Sequence, residues 1–229
     1  MNSGSVAFGF LSAEGINLQT SCRLLSQRRT AAFLLASFCA VLITACGAAR
    51  PIKYYQLTVP GDSASPSAAE PTPITLLVGN LHTSHLYRDD RIVYSSAGMQ
   101  MGAYETHRWA EPPTEMVEEV LLRGLRTSGR FRAVYAQRSN TTGDFLLRGR
   151  LYDFKEVSEG TVLARCTFEL ELQELKTGKT VWTHYYTHDE PAAGKDVPAV
   201  VTALDKNVQL GVKGALASLE QFFASHPSN

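Results

Sequence analysis

The sequence predicts an α+β fold, in which a single domain combines a mixed β-sheet with two main helices packed on it. Three consecutive strand-like segments, separated by two sequences typical of hairpin turns, predict an antiparallel three-strand meander in the C-terminal half. Two other segments carry apolar residues at helical spacing. The composition, 44% hydrophobic and 19% charged, is that of a globular protein. A three-layer α/β sandwich is the alternative arrangement of these elements.

The charge balance argues against one class of partner. The chain has 22 basic and 22 acidic side chains and no block of basic residues. Because nucleic-acid binding depends on Lys and Arg side chains that neutralise phosphates, no nucleic-acid partner is expected. No apolar run reaches the ~18 residues that a membrane-spanning helix requires.

A lipoprotein signal peptide is predicted in residues 1–45. Arg28 and Arg29 precede the uncharged residues 31–45, and small residues then lead to Cys46. This order of basic, apolar and small residues before a cysteine resembles the bacterial lipobox. The resemblance implies that the peptide before Cys46 is removed and that Cys46 carries acyl chains such as palmitate. The alternative is a plain secretory signal, or a buried apolar helix, with an incidental cysteine.

The rest of the chain divides into a short tether and one domain. Residues 1–22 are expected to lie upstream of the true translation start, because a 45-residue leader exceeds the usual ~15–30 residues. Residues 46–51 form the lipid-anchored tether, 52–224 form the domain, and 225–229 form a tail. Within the domain, the Pro- and Ser-rich residues 59–73 are predicted to be a flexible insert.

Short strands are predicted in the first half of the domain. The run Ile74–Leu81 is apolar enough for a central strand that is buried on both faces. Gly98 and Gly102 are expected in the turn between two of the others. The predicted strands are Ile52–Thr58, Ile74–Leu81, Arg91–Tyr94, Ala103–His107 and Phe131–Tyr135.

Two helices are predicted from apolar stripes and from their boundary residues. The first follows Pro112, because proline fits the first helical turn and acidic residues come next, and it ends before Gly129. The second spans Lys195–Ala224, as one long helix or a broken pair, with Asp196 as its N-cap. Gly211 and Gly214 in its middle are expected to mark a bend.

The C-terminal meander comprises Phe145–Lys155, Thr161–Gln173 and Thr180–Thr187. In the middle strand, apolar residues alternate with polar ones, so that every second side chain faces the core. Cys166 belongs to the apolar set and is therefore predicted to be a core residue, not a nucleophile.

No catalytic residue, metal ligand or cofactor is predicted. His82 and His85 form one spaced pair, and His184 and His188 form another, but neither pair has an adjacent third ligand. Such histidine pairs are more often exposed polar residues than metal ligands. Similarly, Arg148 and Arg150 share one strand face, which favours a solvated surface over a site for anionic head groups.

Two motifs are the strongest features of the domain. Asp90-Arg91-Ile92-Val93 and Arg108-Trp109-Ala110-Glu111-Pro112 follow a tyrosine-rich first strand. Together they resemble the auxiliary lipoprotein component of ABC-type transport systems. Trp109 is predicted to be either a core anchor or an exposed contact for a partner. The candidate residues for a partner or a structural role are Asp90, Arg91, Arg108, Trp109, Glu111 and Pro112.

The family resemblance implies a non-catalytic protein, held by its lipid at the periplasmic face of the outer membrane. In such systems a permease and an ATPase work with a substrate-binding protein of the mammalian-cell-entry type to move lipids between the membranes. Gly47 agrees with this location, since an Asp after the lipidated Cys tends to retain lipoproteins in the inner membrane. A second copy of the chain is another candidate partner. The alternative function is an outer-membrane lipoprotein that regulates a cell-wall or envelope-assembly enzyme.

Overall fold

The computed structural model describes residues 50–59, 61, 71–96 and 99–226. The signal peptide, Cys46, most of the predicted insert and the last three residues lie outside the described residues. Ten main elements follow one another along the described chain. They are β1 (Lys53–Tyr55), β2 (Thr72–Thr83), β3 (Arg91–Ser96), β4 (Gln100–Trp109), α1 (Pro113–Thr127), β5 (Phe131–Ala136), β6 (Phe145–Glu159), β7 (Thr161–Glu174), β8 (Thr180–Pro191) and α2 (Val197–Ser225).

One mixed sheet contains the eight described strands, and β6 is its central member. One edge of β6 pairs antiparallel with β7 along its length, and β8 continues the meander. The other edge pairs in parallel with β2 in its first half and with β3 in its second half. β5 flanks β2, and β4 and β1 extend the sheet beyond β3. The predicted α+β fold is confirmed.

Both helices pack on the same face of this sheet. α1 contacts β2 and β5, α2 contacts β7 and β8, and the two helices also contact each other. Their apolar stripes and the sheet share one core, so the described residues form two layers and not a three-layer sandwich. Representative buried members are Leu76, Val78, Val117, Leu121, Leu151, Cys166, Phe168, Leu204 and Val208. Each fully buried aliphatic side chain in such a core contributes ~1.5–3 kcal/mol relative to exposure.

The long helix α2 runs as one helix from Val197 to Ser225, so the broken-pair alternative is wrong. Its predicted N-cap is confirmed, because the Asp196 carboxylate accepts a hydrogen bond of 3.1 Å from the Ala199 amide. Gly211 does not interrupt the helix; it allows the helix to pack closely against two aromatic rings of the sheet. A Cβ at this position would lie 2.7 Å from Cε1 of Tyr186 and 2.8 Å from Cε1 of Phe168.

The hairpin of β3 and β4 corrects a second glycine prediction. Gly102 lies inside β4, opposite Tyr94, and not in the turn. The Tyr94 ring crosses the Gly102 backbone so closely that a Cβ there would lie 2.5 Å from Cζ of the ring. The glycine accommodates this cross-strand contact, which the local sequence does not reveal.

Candidate functional site: the helix-start motif and the anchor segment

The helix-start motif, residues 90–91 and 108–112, joins the beginning of β3 to the end of β4. The Trp109 amide donates a hydrogen bond of 2.6 Å to the Asp90 carbonyl oxygen. Nη1 of Arg108 donates to the Asp90 carboxylate at 3.1 Å. Arg91 is the register partner of Arg108, and its own side chain is exposed. The structure thus brings Asp90, Arg108 and Trp109 together and leaves Arg91 at the surface.

Trp109 is a core residue, the first of its two predicted roles. Its side chain is 0% exposed, and its ring centroid lies 5.2 Å from that of Phe154. Among the described residues, its indole Nε1 has no hydrogen-bond partner. Leaving a buried donor unpaired costs ~1–3 kcal/mol. The indole is therefore held by packing, and its polar atom reduces the stability that the packing provides.

The same motif directs the chain into α1. The Ala110 amide donates to the Tyr55 carbonyl oxygen at 2.7 Å, which connects the motif to β1. The Pro112 carbonyl oxygen accepts the amides of Glu115 and Met116, the first hydrogen bonds of the helix. Pro112 is the N-cap residue. Glu111 and Pro112 thus mark a structural junction between a strand and a helix.

We call residues 53–58 the anchor segment, because they connect the tether to the domain. β1 pairs in parallel with the end of β4. After β1 the chain leaves the sheet, and Leu57 is buried in the core. The amide and Oγ1 of Thr58 donate to the Asp205 carboxylate at 2.9 and 2.7 Å. The predicted strand Ile52–Thr58 is therefore too long, because its last residues bind α2 instead of β4.

A second residue of α2 completes this contact. Nε2 of Gln209 donates to the Thr58 carbonyl oxygen at 2.6 Å and to the Asp205 carboxylate at 3.3 Å. The anchor segment is thus attached to the sheet at one end and to α2 at the other. Sequence reasoning missed Asp205 and Gln209, since they lie about 150 positions from Thr58 and resemble any exposed polar residues of a helix.

An acidic hollow of about 230 Å³ lies beside Glu111 and the first turns of α1. Glu118 accepts a hydrogen bond of 2.6 Å from the Leu81 amide of β2. Burial raises the pKa of Glu118, and the Leu81 hydrogen bond and Arg138 act in the opposite direction. Glu119 pairs with Arg123 at 2.7 Å. Two of the acidic residues that follow Pro112 therefore have specific partners within the domain.

A shallow concavity of about 670 Å³ lies on the sheet face opposite the helices. The pairing of β6 and β7 shifts between Leu151 and Asp153, and this bulge places Tyr152 at the surface while Phe154 returns to the core. The Tyr152 and Tyr185 rings lie 6.4 Å apart. The bulge reverses the face of every later β6 residue, which simple alternation along the sequence does not anticipate.

Arg148 and Arg150, on the sheet face opposite the helices, contact neighbouring side chains. Nη2 of Arg148 lies 3.5 Å from the Glu171 carboxylate. The Arg150 guanidinium lies 5.3 Å from the centroid of the Tyr152 ring. This arrangement favours the predicted solvated face over a head-group site, because Glu171 offsets the charge that an anion would need.

Cys166, His184 and His188 have ordinary structural contacts. Cys166 is buried, and burial raises the pKa of its thiol, so the reactive thiolate is disfavoured. His184 stacks on Trp182 at 5.7 Å, and His188 lies 3.3 Å from Glu190. The part of the chain that the structure describes contains no group of three His, Cys, Asp or Glu side chains that could hold a metal. Nor does it contain a helix that is long and apolar enough to cross a membrane.

Comparison with known families identifies the chain. The family model for the ABC-type transport auxiliary lipoprotein component matches residues 55–213, which is most of the described domain. The chain belongs to this family. The matched range begins in the anchor segment, includes the helix-start motif and the meander, and ends within α2.

Solved structures share the fold of this auxiliary lipoprotein. A crystal structure of a DUF330 protein from Xanthomonas campestris matches with a TM-score of 0.67 and 20% identity, covering 76% of this chain and 98% of that one. A crystal structure of an uncharacterised protein matches with a TM-score of 0.59 and 14% identity, covering 74% and 99%. At these identities the likeness concerns the fold alone. No curated protein matches the sequence.

Proposed function

We propose that this auxiliary lipoprotein is anchored through lipid on Cys46 at the periplasmic face of the outer membrane. There it serves, without catalysis of its own, an ABC transporter whose substrate-binding protein is of the mammalian-cell-entry type, and the system moves lipids between the two membranes. Membership of the transport auxiliary family is the observation that carries this proposal. The lipobox before Cys46 and the Gly47 that follows it support the anchor and its location.

The anchor segment explains how a lipid on Cys46 positions the domain. Cys46 and Lys53 are seven positions apart (53 − 46), so the chain between them spans at most ~25 Å. Lys53 already pairs with His107 of β4, and Thr58 is bound to Asp205 of α2. The domain is therefore kept close to its membrane. The alternative, a regulator that reaches an enzyme across the periplasm, would need a longer tether.

Two cysteine variants test the anchor. Cys46→Ala should abolish radiolabelled palmitate incorporation and release the protein from the membrane fraction. Cys166→Ala is the matched control, because its buried thiol is expected to take no part in anchoring, and it should remain labelled and membrane-bound. A wild-type protein that is membrane-bound but unlabelled would overturn the lipid anchor. Separation of inner and outer membranes on a density gradient tests the location.

The transport role has its own experiment. After cross-linking in intact cells, the wild-type protein should copurify with the permease or with a substrate-binding protein of the mammalian-cell-entry type. Copurification with a cell-wall enzyme instead would support the alternative function. Cells that lack the protein should also show altered exchange of labelled phospholipid between the two membranes, and unchanged exchange would count against lipid as the cargo.

A further inference from the structure

The strand register shows toward which end of the sheet the chain before β1 leads. Lys53 pairs with His107 and Tyr55 with Trp109, so partners in the parallel pair of β1 and β4 differ by 54 positions. Following β1 backwards therefore leads toward the beginning of β4, at Gln100. Cys46 lies seven positions before Lys53, just as Gln100 lies seven positions before His107 (107 − 100). The chain before β1 is thus long enough for Cys46 to reach the level where β4 begins.

At that end of the sheet the structure exposes two methionines. The side chain of Met99 is 101% exposed and that of Met101 is 42% exposed. The sequence around them, from Ile92 to Tyr104, contains no charged residue. Methionine is flexible and polarizable, and it adapts to irregular apolar surroundings. The end of the β3–β4 hairpin has no charge of its own, so its exposed methionines can enter the outer part of a bilayer. The nearest charge at this level is Glu159 of the neighbouring β6–β7 turn, which is exposed.

We propose that Met99 and Met101, here called the methionine tip, contact the lipid surface that carries the acyl chains of Cys46. This inference rests on the lipid anchor of the proposed function. Tyr54 of the edge strand β1 and Ile52, which directly precedes that strand, are also exposed. An aromatic side chain with one apolar and one polar end suits a membrane interface. The tip gives the tethered domain a second attachment point and so fixes which end of the sheet faces the bilayer.

The opposite end of the sheet provides the contrast. The turn between β7 and β8 follows Glu174, which pairs with Phe145 at the start of β6. The methionine tip lies toward the other end of β6, where Ser96 of β3 pairs with Ser158. That turn carries Lys176 and Lys179, whose charges favour water. Leu175 in the same turn is 40% exposed, close to the value for Met101, so it is a matched control at the end that should point away from the membrane.

The test introduces one surface cysteine at a time into the lipidated protein. Met99→Cys and Leu175→Cys are each labelled with an environment-sensitive fluorophore, while Cys166 is buried. The purified proteins are incorporated into vesicles of phosphatidylethanolamine and phosphatidylglycerol that contain a spin-labelled quencher lipid. The label at 99 should show blue-shifted emission and quenching several times stronger than the label at 175. Equal quenching at both positions would overturn the inference.

A charge variant excludes insertion driven by the fluorophore itself. Met101→Asp, added to the Met99→Cys protein, should reduce the quenching severalfold, whereas Val181→Asp at the opposite end should not. Unchanged quenching with Met101→Asp would refute a role for the methionine tip. Palmitate incorporation is measured on the same samples. Protein that carries palmitate but shows no quenching of the fluorophore at position 99 refutes only this inference. Absence of palmitate on Cys46 refutes the lipid anchor and the inference together.

Discussion

Replacing Trp109 with alanine is expected to lower the free energy of unfolding by ~3–5 kcal/mol, the range for large-to-small aromatic changes in a core. The site fits that range, because the side chain is 0% exposed and packs on Phe154. Its backbone hydrogen bond to Asp90 does not depend on the side chain. The loss is therefore one of side-chain packing, offset in part because the substitution also removes the unpaired Nε1–H.

Trp109→Phe separates packing from polarity at the same position. Phenylalanine keeps an aromatic ring in the core and removes the Nε1–H that has no partner among the described residues. Removing a buried, unpaired donor recovers part of the ~1–3 kcal/mol that it costs. We therefore expect Trp109→Phe to be clearly less destabilising than Trp109→Ala, although the smaller ring leaves some empty volume.

Urea unfolding followed by far-UV circular dichroism measures both variants, since tryptophan fluorescence would change with the substitution itself. Thermal unfolding should show a fall of ~2–4 °C in Tm for each kcal/mol. Trp182→Ala is the control: Trp182 is only partly buried, and its Nε1 donates to Ser218 at 3.3 Å. The reasoning is refuted if Trp109→Ala costs no more than Trp182→Ala, or if Trp109→Phe costs as much as Trp109→Ala.

Three further predictions concern other contacts. Asp205→Ala should accelerate hydrogen exchange of the Thr58 amide, because that amide loses its acceptor. Lys213→Ala, on the same helix, is the control and should leave this exchange unchanged. Equal exchange in both variants would contradict the attachment of the anchor segment. Gly211→Val should lower the free energy of unfolding by ~1–3 kcal/mol, because the added side chain overlaps two aromatic rings, and unaltered urea unfolding would contradict this. Hydrogen bonds from Arg165 lower the pKa of Asp189 below its ordinary value of 3.8. The pair therefore stabilises the fold fully above pH 3.8, and this contribution is lost as the pH falls through the lowered pKa. Arg165→Met should therefore reduce the acid-induced loss of stability, and an unchanged pH profile would argue against the pair.

The sequence by itself determined the elements whose signals are local. Alternation along Thr161–Gln173 predicted the core face of β7, and the apolar stripes predicted both helices and the Asp196 N-cap. Each of these features depends on residues within a few positions of one another, where side-chain periodicity and capping chemistry decide the structure. The family motifs were also readable, because they are short and contiguous.

Only the tertiary structure decided the features that depend on distant partners. Gly102 and Gly211 look like turn or bend residues in the sequence, yet each accommodates an aromatic ring from another segment. The bulge at Tyr152 reverses the faces of β6, and the strand pairing that produces it lies outside any local pattern. The anchor segment leaves the sheet because Asp205, 147 positions away, accepts its hydrogen bonds. Local propensity cannot encode such a contact, since its free energy exists only after the fold has brought the two segments together.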